Sequence, residues 1–87
     1  MTAKEMFKKL GYVQVEKDDE DIIYRCKIKI DDWEEEINEV IFWLDDKLLE
    51  VDNYIDTNLL QAINQQVLEL GWDKWKIELK KLMNYYI

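Results

Sequence analysis

Tyr54-Ile-Asp-Thr-Asn-Leu-Leu-Gln-Ala-Ile-Asn-Gln-Gln-Val-Leu-Glu-Leu-Gly-Trp72 is the stretch whose reading decides the fold. Leu59, Ile63, Val67 and Leu70 are spaced by four, four and three residues, which puts them on one face of a helix. Leu60 widens that stripe, and with Ile55 it matches a hydrophobic staple at the helix entry. Asn58, Gln61, Asn64, Gln65 and Glu69 fall on the opposite side. Asp56 is the natural N-cap, because its carboxylate can accept the orphan N–H groups of the first turn. Gly71 ends the helix, since a left-handed residue costs glycine little. The amide-rich run from Gln61 to Gln66 reads either as ordinary solvated surface or as part of a contact surface.

Upstream of this helix the periodicity changes. Ile22, Tyr24, Cys26, Ile28 and Ile30 alternate with Ile23, Arg25, Lys27 and Lys29, a segregation that only a strand makes tidy. Tyr12-Val-Gln-Val-Glu16 alternates in the same way. A third strand runs from Ile37 to Leu44, and its Val40-Ile-Phe-Trp-Leu44 end is apolar at every position, the mark of a strand covered on both faces. Leu48–Asp52 is a short fourth strand after the tight turn Asp45-Asp-Lys47. At the start, Thr2-Ala-Lys-Glu5 is a capping box, followed by Ala3, Met6, Phe7 and Leu10 at helical spacing and by Gly11. After Gly71, Asp73 can cap a third helix with Trp75, Leu79, Leu82, Met83 and Tyr86 along one stripe. The expected architecture is α+β in the order α-β-β-β-β-α-α, a four-stranded antiparallel meander packed on helices. Residues 1–72 form one domain. Residues 73–87 form an amphipathic helix that covers the far face of the sheet or meets a second copy of the chain.

Composition narrows the function. The chain has 87 residues and a net charge of −8. Three lysines against one glutamate give residues 1–10 a charge of +2, and four lysines against Asp73 and Glu78 give residues 73–87 another +2, so residues 11–72 carry −12. Such a body repels phosphates and anionic lipid, so neither direct nucleic-acid binding nor membrane binding is expected. No apolar run has the length of a membrane span. Met1-Thr-Ala-Lys-Glu5 leads directly into a helix rather than a signal peptide, and the lone Cys26 has no partner for an internal disulfide. Both point to a reduced, cytoplasmic protein.

Enzymatic chemistry is poorly supplied. There is no His and no Ser, which removes the Ser–His and Cys–His nucleophile systems, the usual zinc ligand sets and the commonest general base. No glycine-rich loop can cradle a phosphate. Cys26 lies on an apolar strand face, where cysteine is ordinarily inert. No catalytic residue, metal or cofactor is expected. Two acidic turns stand out instead: Asp18, Asp19, Glu20 and Asp21, and at the opposite end of the meander Asp31, Asp32, Glu34, Glu35 and Glu36. Neither has the spacing or the glycine of an EF-hand. They read as solvated hairpin tips or as a protein-docking surface. Arg25, Lys27 and Lys29 form a basic stripe that cross-strand pairing with Glu16, Glu39 or Glu50 would absorb.

Ala3-Lys-Glu-Met-Phe7, Leu10-Gly-Tyr12, Leu44-Asp-Asp-Lys47, Leu59-Leu-Gln-Ala-Ile-Asn64 and Glu69-Leu-Gly-Trp72 resemble a group of small uncharacterised proteins encoded by phages and prophages of Firmicutes. The likeness covers the first helix, the last hairpin and the central helix, and stops at Trp72. It implies a context rather than an activity. Phage accessory proteins of this size are often acidic inhibitors that bind host or phage proteins, anti-CRISPR proteins among them. The expected function is therefore a non-enzymatic acidic module that occupies a basic surface of a host nucleic-acid-binding protein, such as a nuclease. The two acidic turns form its contact, and a homodimer is built on the C-terminal stripe. The alternative is a small structural or assembly protein of phage origin whose charge only confers solubility.

Overall fold

A computed structural model describes residues 1–29 and 31–79. The order is α1 (Ala3–Lys9), β1 (Val13–Lys17), β2 (Asp21–Lys29), β3 (Glu35–Trp43), β4 (Leu48–Val51), α2 (Thr57–Leu70) and β5 (Lys76–Leu79). The fold is α+β, as the periodicities require, with a five-stranded sheet in the order β1-β2-β3-β4-β5. The first four strands form the antiparallel meander. The fifth corrects the expected architecture: Lys76–Leu79 is a strand that pairs parallel to β4, where a third helix was expected to begin. Asp73 is an exposed turn residue and caps no helix. Parallel pairing needs a crossover of a dozen or more residues, and α2 supplies it, so β4-α2-β5 is a βαβ unit. Residues 76–79 thus extend the sheet at its β4 edge and do not cover a face.

Both predicted helix starts are built as the sequence dictates. Thr2 accepts from the Glu5 N–H at 3.2 Å while Glu5 accepts from the Thr2 N–H at 2.9 Å. That hydrogen bonding to Thr2 lowers the Glu5 carboxyl below its ordinary range. Asp56 Oδ1 accepts from the Leu59 N–H at 2.8 Å. Gly71 closes α2 at φ 71°, in the left-handed region where a side chain is strained. Leu59, Ile63 and Val67 are buried and Leu70 packs beside them. Leu60 is exposed, however, and the buried face is completed by Ala62 and Gln66.

The core lies between the two helices and one face of the sheet. Ile22, Tyr24, Val40, Phe42, Leu49 and Val51 meet Ala3, Phe7, Leu59, Ala62 and Ile63. Phe7 stacks on Tyr24 with ring centroids 3.8 Å apart, and Phe42 meets both rings edge-on. Along the described part of β2 the predicted segregation holds: Ile22 and Tyr24 are buried, Cys26 and Ile28 half-buried, and Arg25, Lys27 and Lys29 exposed, while Ile30 lies outside the described residues. The Tyr24 hydroxyl donates to Gln66 Oε1 at 2.7 Å and accepts from Gln14 Nε2 at 3.2 Å, so the one buried glutamine of the amide run has a partner in the sheet. Glu69 joins the helices by accepting from the Ala3 N–H at 2.7 Å.

Two strands invert their apparent pattern. In β1, Val13 and Val15 are exposed and Gln14 is half-buried; in β3, Ile37 is exposed and Asn38 is fully buried. Asn38 accounts for its own inversion. Its Nδ2 donates to the Tyr12 hydroxyl at 2.6 Å and to the Tyr54 carbonyl at 3.0 Å, and its Oδ1 accepts from the Asn53 N–H at 3.0 Å. One side chain on the middle strand thereby holds both the α1–β1 junction and the β4–α2 junction. The Asn53 side chain returns a hydrogen bond to the Ile37 carbonyl.

Candidate functional site

The sheet places the two acidic turns at opposite ends of β2. Residues 21 and 29 are eight strand steps apart, roughly 26 Å at about 3.3 Å per residue, so the nine predicted acidic residues do not form one continuous surface. The Leu44 N–H donates to the Glu20 carbonyl at 3.0 Å, which joins the β1–β2 turn to the β3–β4 turn at one end. The β2–β3 turn stands alone at the other.

That solitary turn is fixed from within. Asp31 Oδ1 accepts from the Trp33 N–H at 2.7 Å and from the Glu34 N–H at 2.8 Å. An aspartate that bonds the backbone two and three residues ahead mimics a turn of main chain and holds the tip in one shape. The consequence is the placement of Trp33, whose side chain is 92% exposed. Asp32, Glu34 and Glu35 are exposed around it, Glu36 is half-buried, and Ile37 is exposed where β3 begins. The sequence reading names the five acids and misses the indole. The available signal was an aromatic residue inside a turn, where neither strand nor helix period would bury it.

At the other end, Asp18 Oδ1 accepts from the Glu20 N–H at 2.8 Å and the Asp21 N–H at 3.0 Å. Asp18, Asp19 and Glu20 are exposed, but Asp21 is buried. Carboxylate oxygens of Glu16, Asp18 and Asp21 all lie within 4.8 Å of one another. The carboxyl of Glu16 is held above its ordinary range, first by the Asp21 carboxyl beside it and then by the repulsion of its other acidic neighbours. Glu16 belongs to this group and not to the basic stripe. Arg25 takes Glu39 instead, with Nη2 2.6 Å and Nε 2.9 Å from the same carboxylate oxygen, as cross-strand pairing predicts.

The remaining candidates disperse. Trp75 packs against the core of its own chain, and Leu79 pairs with Val51 in β5. Leu82, Met83 and Tyr86, the rest of the expected oligomer stripe, lie outside the described residues. Cys26 is half-buried beside Gly11, and burial pushes its thiol pKa up, which disfavours the reactive thiolate. A shallow groove of about 370 Å³ runs between Gly11, Val13, Val15, Arg25 and Lys27. Among the described residues no helix is long and apolar enough to cross a membrane. No protein-family model, curated protein or solved structure matches the chain.

Proposed function

We propose that the protein is a non-enzymatic binding module that docks the β2–β3 turn against a basic protein surface. The observation that carries this reading is Trp33, an exposed indole on a turn that Asp31 holds rigid, with carboxylates around it. Tryptophan is the residue type most enriched among binding hot spots, because it buries a large rigid surface when a partner closes over it. The surrounding carboxylates supply steering and exclude acidic partners. A basic groove meant for phosphates is the complementary shape and charge. The resemblance to phage proteins favours such a groove on a host nucleic-acid-binding protein, a nuclease among them, and hence an anti-defence, anti-CRISPR-like inhibitor in the host cytoplasm.

The test is capture from host lysate by the intact chain and by Trp33→Ala, at low and moderate salt. A basic nuclease or polymerase retained by the first and lost by the second supports the reading. Equal retention by both chains removes Trp33 from the contact and overturns it.

A second reading has its own support. Val13 and Val15 are exposed on β1, an edge strand of the sheet, and Ile37 is exposed as well. Exposed apolar positions on an open edge suit a small structural or assembly protein, or a homodimer that pairs its sheets. Light scattering separates the two: a concentration-dependent dimer broken by Val15→Lys favours assembly.

A further inference from the structure

We propose that the β1–β2 turn is a binding site for a hard divalent cation, with Glu16, Asp18 and Asp21 as its ligands. Three carboxylate oxygens within 4.8 Å of one another are by themselves common on an acidic surface. What distinguishes this group is Asp21. Its side chain is 6% exposed, and its Oδ1 is buried with no hydrogen-bond partner. A buried carboxylate oxygen left without a partner is costly, and a bound cation is one of the few groups that satisfies it beside two further carboxylates. Other unpartnered oxygens do not sit in such company: the Asn53 Oδ1 atom is also buried and unpaired, but belongs to a neutral amide.

The strand geometry places the ligands on purpose. In the β1–β2 ladder Gln14 pairs with Tyr24, but Glu16 pairs with Ile23, so Val15 is an extra residue at a β-bulge. Without the bulge, Glu16 would share the face of Gln14 and point toward the helices. With it, Glu16 shares the face of Ile23 and therefore of Asp21. Bulges commonly re-aim a side chain in this way. Asp18 completes the group from the turn, where one of its oxygens already bonds two backbone N–H groups and the other is left for a ligand. The donor set is all oxygen and carries three negative charges, with no imidazole or thiolate. That chemistry selects calcium, magnesium or manganese over zinc or copper.

The experiment is a titration of the isotopically labelled full chain with calcium chloride at constant ionic strength, followed by backbone amide NMR, with magnesium chloride as a second arm. The expected result is a saturable shift confined to residues 16–21, with Asp31–Glu36 unmoved. Glu16→Gln and Asp21→Asn should each weaken the calcium affinity by at least about tenfold, since affinity follows the number of charged ligands. Glu16 is exposed, so its variant stays folded and keeps the test decisive should Asp21→Asn unfold the turn. Shifts that spread over both acidic turns without saturating would mean diffuse counterion attraction. Affinity unchanged in Glu16→Gln, or no shift with either cation, would mean that Glu16 and Asp21 merely share a proton. Each of these outcomes overturns the site.

Discussion

Asn38→Ala is the substitution that most directly tests how this fold is held. Asn38 is fully buried on the middle strand, and its amide makes hydrogen bonds to Tyr12, Asn53 and Tyr54. Alanine removes all of them and takes this partner from the Asn53 N–H, the Tyr54 N–H and the Tyr54 carbonyl. The Tyr12 hydroxyl only accepts from Asn38 and keeps its own O–H free to donate elsewhere, so three backbone groups need be counted. Each buried polar group left unpaired costs about 1–3 kcal/mol, so the loss is about 3–9 kcal/mol. A domain of this size holds about 4–13 kcal/mol in all, at roughly 0.05–0.15 kcal/mol per residue. The substitution should therefore remove a large fraction of the stability. In urea, with a slope of about 1 kcal/mol per molar, the midpoint should fall by about 3 M or more. Tyr12→Phe deletes one hydroxyl and should cost about 1 kcal/mol alone. In the double variant it should cost less than alone, because the two side chains share a hydrogen bond. A midpoint shift below about 0.5 M for Asn38→Ala, at unchanged slope, would refute the reasoning and mean that water replaces the amide without penalty.

Other outcomes follow from single sites. Gly71→Ala should cost about 1–2 kcal/mol in thermal or urea unfolding, all of it conformational, because φ is 71° and nothing lies within 4 Å of the added carbon. Burial raises the pKa of Tyr12 and Tyr24 above the ordinary tyrosine value, so the folded state favours the neutral phenols. Stability should be fully present below about pH 10, the unfolded tyrosine value, and fall as pH rises through and beyond it, with Tyr12→Phe flattening the fall in pH-dependent unfolding. Cys26 should react with a thiol-specific disulfide reagent more slowly than a free thiol at pH 7–8, and at the free rate once the chain is unfolded in urea. Trp33→Ala should change stability by less than about 0.5 kcal/mol while quenching the exposed-indole fluorescence, since no packing is lost.

The local parts of the fold were legible because their physics is local. Thr2, Glu5, Asp56 and Gly71 act within one turn of chain, and the structure places each at the cap its chemistry suits. The alternation along β2 was equally readable, since a two-residue period has one geometric meaning. The segment after Gly71 was not. Trp75 and Leu79, with Leu82, Met83 and Tyr86 beyond them, fit a helical stripe, but Lys76-Ile-Glu-Leu79 also alternates, and a window this short cannot separate the periods. What decides it is tertiary: β4 would be left with an unpaired edge, and a 14-residue helix returns the chain alongside it to fill that edge. Polar residues at inward strand positions were hidden for the same reason. Nothing near Asn38 in sequence announces that Tyr12 and Tyr54 will meet it.

The acidic turns were legible as sequence and ambiguous as chemistry, and the sheet resolves part of that ambiguity. Nine acids in two runs look alike on paper. In the fold one run surrounds an indole that is 92% exposed, and the other contributes a carboxylate with one oxygen buried and unpartnered. An exposed indole is satisfied by a macromolecular surface, which can cover its area; an orphaned carboxylate oxygen is satisfied by a proton or a cation, which can enter a small space. The two ends therefore ask for ligands of different size. They are also separated by the length of β2, well beyond the roughly 8 Å over which exposed charges interact at physiological salt. Charge changes at Asp18 or Glu16 should leave docking through Trp33 unaltered, and substitution of Trp33 should leave cation affinity at Asp21 unaltered. A measured coupling between them would require a conformational change that the rigid ladder between β2 and β3 gives no reason to expect.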